Sequence, residues 1–131
     1  MSDALLDTHV WFWLLTGNNR LPARTFQFMQ EAERLSLCPI SIYEVALKAR
    51  TGKWDGMTRE KLDGLMRESR KNGIELRAQD GETMMMAGFL DWTHRDPWDR
   101  LIAATALKQE AILVSADTAF DAVPGLERFW E

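Results

Sequence analysis

"HRDPWDRLIAATALKQEAILVSAD", His94 to Asp117, reads as a helix that runs directly into a buried strand. Pro97 suits the first helical position, and Asp96 before it suits the N-cap. The stretch that follows is apolar enough for a buried helix. "AILVS" (Ala111 to Ser115) is short and apolar, the pattern of a strand covered on both faces. Asp117 follows it at once. The stretch also raises a question: Asp96 and Asp99 stand at the mouth of an apolar helix, and a cap explains only one of them.

The same alternation recurs upstream. "ALLD" (Ala4 to Asp7) reads as a strand, and a helix is expected from Thr8 to Leu15. "GNNRLP" is a turn with Pro22 near a helix start, after which Phe26, Met29 and Ala32 recur at helical spacing. "LSLCPI" (Leu35 to Ile40) reads as a strand. Ser41 opens a helix with Ile42, Val45, Ala46 and Ala49 on one face, and Gly52 closes it. Thr58 caps a helix striped by Leu62, Leu65 and Met66, which Asn72-Gly73 stops. "IELRA" (Ile74 to Ala78) is a further strand, and "DGETMMMAGFLDW" a further helix. Downstream, "ADTAFDAVPG" is a turn with a short helical piece, and "LERFW" a last, edge strand. Strands alternating with helices over short connections imply a mainly parallel sheet covered on both faces, with right-handed crossovers. The expected architecture is a three-layer α/β/α sandwich with four or five strands. A chain of 131 residues is expected to form it as one domain, residues 1–131.

The totals narrow the classes. Cys38 is the only cysteine, so no intrachain disulfide forms. "MSDALLD" has no basic start, and the longest apolar run, "VWFWLL", is far short of the roughly 20 residues that span a bilayer. A soluble, cytoplasmic protein is expected. The net charge of −4 speaks weakly against a nucleic-acid partner. The distribution differs from the total, because Lys48, Arg50, Lys53, Arg59, Lys61, Arg67, Arg70 and Lys71 crowd one third of the chain.

Each acid has a local explanation. Asp7 ends a strand and can cap the next helix. Glu44 follows Ser41 by three residues, so "SIYE" reads as a capping box. Asp96 is an N-cap, and Asp99 a favourable first-turn charge worth about 0.3–1 kcal/mol. Asp117 can make an Asx-turn. Their joint placement needs more. Asp7, Glu44 and Asp117 map to the carboxyl ends of strands, where ligands bind in a doubly wound sheet. Asp99 joins them if its helix start abuts the same crevice. Two like charges about 4 Å apart cost roughly 4 kcal/mol at an effective dielectric of 20. A divalent cation removes that cost. Hard oxygen donors suit Mg²⁺ or Mn²⁺ better than Zn²⁺.

"LLDTHVWFWLL", "PISIYEVALKARTGKW", "HRDPWDRLIAATAL" and "LVSADTAF" together resemble the four signature blocks of the PIN domain, in order and across nearly the whole chain. They look most like the VapC-type ribonuclease toxins of bacterial toxin–antitoxin pairs. The resemblance puts the family's catalytic, metal-binding acids on Asp7, Glu44, Asp99 and Asp117. Asp96 matches the first acid of the "DPWD" block as an accessory, and Trp98 stands where the family often has Phe. Thr8 and Ser115 match small hydroxyl positions that orient a carboxylate or water. What the resemblance implies is Mg²⁺-dependent endoribonuclease activity restrained by a cognate antitoxin, commonly in a homodimer.

Phosphodiester hydrolysis then rests on the metal, since no nucleophilic Ser/His/Asp or Cys/His arrangement is evident. His9 and His94 are expected to be structural or solvent-facing. Lys48, one turn after Glu44, and Arg50, Lys53, Arg95 and Arg100 are candidates to hold RNA phosphates. "VWFWLL" would make a helix apolar nearly all round, which is either buried or covered by an antitoxin or a second subunit. Two other classes compete. A phosphoryl-accepting signalling domain would need an acceptor Asp at a middle strand end, and only Asp80 comes near. A non-catalytic interaction module would not need the full acid set.

Overall fold

The computed structural model describes residues 2–131. Its elements are β1 (Asp3–Leu6), α1 (Thr8–Thr16), α2 (Ala23–Glu31), β2 (Arg34–Leu37), α3 (Pro39–Arg50), α4 (Arg59–Lys71), β3 (Ile74–Leu76), α5 (Gly81–Phe89), α6 (Pro97–Gln109), β4 (Ile112–Val114), a 3-10 turn (Thr118–Ala122) and β5 (Arg128–Phe129). The strands form one sheet in the order β3-β2-β1-β4-β5, every pair parallel.

Strand side chains alternate between faces, so a strand buried on both sides must be apolar throughout. β1 shows this directly. Ala4 and Leu6 join Val10, Trp11, Met29, Val45, Leu62 and Leu65 in one apolar cluster. Leu5 between them joins Cys38, Ile102, Ala103, Ala106 and Phe120 in the other. α1 to α4 therefore cover one face, α6 and the 3-10 turn cover the other, and α5 packs on α6. The α/β/α sandwich is as the sequence pattern implies.

The strands are shorter or shifted by a residue or more from the sequence reading, β2 ending at Leu37 and not Ile40 and β3 at Leu76 and not Ala78, and two further differences bear on the site. α3 begins at Pro39, with Cys38 as an N-cap that makes no side-chain bond. Proline has φ preset for a helix and no N–H to lose in the first turn, so it starts the helix ahead of Ser41. Ser41 is then inside the helix, and the expected Ser41–Glu44 capping box does not form. The Ser41 and Glu44 side chains both meet Thr8 instead. "VWFWLL" also divides. Trp11 is fully buried, its indole N–H donating to Ser69 Oγ on α4 at 3.0 Å, which removes it from any partner surface. Trp13, Leu14 and Leu15 are only half-buried.

The chain leaves β1 for β2 and β3 on one side, then returns to β4 and β5 on the other. That reversal opens a crevice past the carboxyl ends of β1 and β4, the place where doubly wound sheets bind ligands. Among the described residues, no helix is long and apolar enough to cross a membrane.

Candidate active site

Asp7 is the first residue past β1. It caps α1 by accepting the Thr8 N–H on Oδ1 at 2.8 Å, and its Oδ2 accepts the Ser115 hydroxyl at 2.7 Å. Ser115 is the first residue past β4, so this bond ties the two strand ends at the crevice. Capping and crevice roles share one carboxylate, one oxygen each.

Glu44 lies one and a half turns into α3 and is buried. Its Oε1 accepts the Thr8 hydroxyl at 3.0 Å, and its Oε2 accepts Lys48 Nζ at 2.7 Å. Thr8 Oγ1 also lies 2.8 Å from Ser41 Oγ. Burying a carboxylate is costly unless such donors meet it.

Asp96 caps α6, accepting the Trp98 N–H at 2.9 Å. Asp99 then falls in the first turn, on the same helix mouth. Its Oδ2 is 2.7 Å from His94 Nε2. The His94 ring lies 4.7 Å from that of Trp92. Of the two roles expected for His94, structural or solvent-facing, these contacts support the structural one, with the side chain about one-third exposed. Its ring and the two acids offer ligand atoms all within 4.8 Å of one another. No periodicity in the sequence placed His94 against Asp99, because it lies in the loop ahead of α6.

Arg100 departs from expectation. Its Nε donates to Ala87 O, its Nη1 to Trp92 O and His94 O, and its Nη2 to Gly88 O and Leu90 O. Every guanidinium N–H is taken, so none is left for a phosphate. Arg100 is instead the clamp that fastens the end of α5 and the loop carrying His94 onto α6. Arg50, Lys53 and Arg95 are exposed.

Asp117 follows β4 by three residues and caps the 3-10 turn, accepting the Ala119 N–H at 2.9 Å. Asp7, Glu44, Asp99 and Asp117, with Asp96, Thr8 and Lys48, line one cleft of about 370 Å³. Ser115 is fully buried beneath Asp7.

Burial has the largest effect on two of these carboxylates, Asp7 and Asp99. It raises the Asp7 pKa against the opposing hydrogen bonds from Ser115 and Thr8, and the Glu44 charge adds to the rise. Asp99 is pushed up to about 6, first by burial, with the His94 hydrogen bond opposing and the charges of Asp96 and Asp7 adding. Desolvation thus outranks the mutual repulsion on which the sequence argument leaned. Glu44 has Lys48, but among the described residues Asp7 and Asp99 have no Lys or Arg ion-pair partner, a deficit that a divalent cation would make good. The donors, mostly carboxylate oxygens with one imidazole nitrogen nearby, fit Mg²⁺ or Mn²⁺. Cys38 plays no part, because burial pushes its thiol up to about 11.

Comparison with known proteins agrees with the fold. The fold is similar to that of the VapBC2 complex from Rickettsia felis bound to a DNA fragment from its promoter. The TM-score is 0.74 at 15% identity, over 98% of this chain and 99% of that one. It is also similar to DNA-bound VapBC from Salmonella typhimurium, with a TM-score of 0.73 at 18% identity over 98% of each chain. A toxin–antitoxin complex from Klebsiella pneumoniae follows at 0.61 and 20% identity, over 94% of each chain. No curated protein sequence matches the chain. Residues 4–126, which carry every acid of the cleft, match the PIN domain family, and the chain belongs to that family.

Proposed function

We propose that this chain, folded as one domain over residues 1–131, is a VapC-type endoribonuclease. It acts in the cytoplasm as the toxin of a toxin–antitoxin pair and depends on Mg²⁺ or Mn²⁺. The observation that carries the reading is the convergence of Asp7, Glu44, Asp99 and Asp117 in one cleft at the sheet's switch point. Two of these carboxylates are desolvated without a full counter-charge.

In this reading Asp7, Glu44, Asp99 and Asp117 hold the cation, with Asp96 accessory. The cation, when bound, activates water and offsets the charge that builds on the phosphate. The chain's own residues do the positioning. Ser115 fixes one oxygen of Asp7, Thr8 one oxygen of Glu44, and His94 one oxygen of Asp99. Lys48, Arg50, Lys53 and Arg95 offer positive charge for the RNA backbone.

Partners enter by the same route. The similar structures are toxin–antitoxin complexes, and two of them hold DNA. An antitoxin is proposed here too, on the groove of about 620 Å³ that Leu14, Leu15, Phe26 and Met29 border. A homodimer is proposed through the exposed Met85, Met86 and Phe89 of α5. The phosphoryl-acceptor reading gains no support. Asp80 is an exposed N-cap held by Thr83, beyond the edge strand β3 and outside the acid cleft.

The test is direct. Nuclease-free protein should cut labelled RNA with Mg²⁺ or Mn²⁺, and EDTA should stop it. Cleavage that EDTA leaves untouched would sink the metal mechanism, and no cleavage of transfer, ribosomal or messenger RNA would sink the nuclease.

A further inference from the structure

A second cleft, of about 330 Å³, opens beside the acid cleft and shares His9, Trp13 and Lys48 with it. Its walls are aromatic. The His9 ring stacks on Trp54 at 5.2 Å with 11° between planes, and Phe12 meets Trp54 edge-on at 5.0 Å. The Trp13 ring lies 5.8 Å from that of His9, and Trp13 lines both clefts. His9 is exposed, and Phe12, Trp13 and Trp54 are only half-buried. The remaining lining is polar: Asn18, Arg20, Lys48 and Lys53.

We propose that this cleft is a subsite for one unstacked nucleotide of single-stranded RNA, next to the phosphate held at the acids. The inference rests on the nuclease reading and deepens it, because it names the residues that hold a base beside the acids.

The chemistry of the walls favours a nucleotide. Flat rings at the surface offer π-faces to any base, which makes stacking tolerant of sequence. Three cations and no carboxylate line this cleft, on a chain whose net charge is −4. That local reversal of sign suits a phosphodiester backbone. The Arg20 guanidinium carbon sits 6.0 Å from the Trp13 ring centre, so cation and aromatic wall are already adjacent. Asn18 accepts the Arg20 N–H on its side-chain oxygen at 2.9 Å, which leaves its NH₂ as a donor for a base edge. Lys48 bridges the two clefts, with Glu44 on one side and the aromatic cleft on the other. A base-paired duplex presents no free face to such walls, so the base that occupies the cleft is an unpaired one.

The experiment uses short oligouridylates, each with one abasic sugar at a different position, bound to the whole protein in Ca²⁺ in place of Mg²⁺. Wild type should lose about ten-fold in affinity when the base is missing at one position and little elsewhere. His9→Ala and Trp54→Leu should bind the intact and abasic strands alike. His9 is exposed, so its variant is expected to fold even if Trp54→Leu melts early. A penalty equal at every position, or one that persists in both variants, would overturn the subsite. So would variants that bind every strand as wild type does, which would leave a protein partner as the occupant. A position-specific penalty in a protein that cleaves no RNA in Mg²⁺ or Mn²⁺ would keep the subsite and remove the nuclease.

Discussion

His94 Nε2 lies 2.7 Å from Asp99 Oδ2, while the His94 carbonyl accepts Arg100 Nη1 at 2.8 Å. Asp99 and Arg100 are neighbours on α6, so one residue of the preceding loop is held by both. The ring then fixes one carboxylate oxygen and leaves the other to the cleft. Partners of this kind, one bond removed from a ligand, typically change metal affinity by about 10- to 100-fold. His94→Gln should therefore weaken Mn²⁺ binding by about ten-fold in a calorimetric titration, with activity recovering as Mn²⁺ is raised. Unchanged affinity would make the His94–Asp99 bond incidental to the site.

Arg100→Lys keeps the charge and discards the fork. Lysine has three donors where Arg100 supplies five, so at least two of the carbonyls at Ala87, Gly88, Leu90, Trp92 and His94 lose their partner. The expected cost is about 2 kcal/mol or more by urea denaturation. Amide exchange should quicken over residues 87–94 in particular. If RNA binding falls while stability and exchange hold, Arg100 contacts phosphate after all.

Asp99 carries a pH signature. Its folded-state pKa of about 6 lies above the roughly 3.9 expected of an unfolded Asp. Between those values the native chain holds the extra proton. Without metal, stability should be greatest near pH 4 and fall as the pH rises through about 6. Asp99→Asn should flatten that fall, although Asp7, also raised, should leave part of it in place. Metal competes with the proton, so Mg²⁺ affinity should rise over the same window and Mg²⁺ should stabilise wild type more than the variant. Thermal melts at pH 4.5 and pH 7, with and without Mg²⁺, read all of this. A variant less stable than wild type at both pH values without metal would return Asp99 to the role of a first-turn charge.

The sheet was legible because burial on both faces leaves an unbroken apolar run, as in "ALL" and "ILV", and the turn residues around each run are explicit. Pro39 outweighing Ser41 as a helix start was also written in the chain, but a capping box and an N1 proline compete there. Asp7, Glu44 and Asp117 were legible as strand-end acids because their positions are fixed by short connections. His94 and Arg100 were not. His94 lies in a loop without periodicity, and which side chain it meets depends on where that loop lands. Arg100 is a cation beside an acidic motif, and nothing local says that its donors turn back to five carbonyls rather than out to a ligand.

Lys48 separates two roles that the same charge could play. Its ammonium is 2.7 Å from Glu44 Oε2, on a carboxylate whose side chain is only 11% exposed. In the absence of metal it is the cation nearest that acid. Lys48→Met keeps the length and the apolar stem but leaves Glu44 with the Thr8 hydroxyl alone. A buried carboxylate stripped of its cation is costly, though Lys48 itself is one-third exposed and water tempers the loss. The metal-free variant should melt earlier than wild type. Mg²⁺ should then raise its melting temperature by more than it raises that of wild type, because the ion takes over the charge that Lys48 supplied. A phosphate-holding lysine behaves differently: its loss should leave the metal-free melt unchanged and instead raise KM and reduce the slope of RNA affinity against salt by about one. Melting Lys48→Met with and without Mg²⁺, alongside a salt titration of RNA binding, distinguishes a lysine that stands in for the ion from one that grips the substrate.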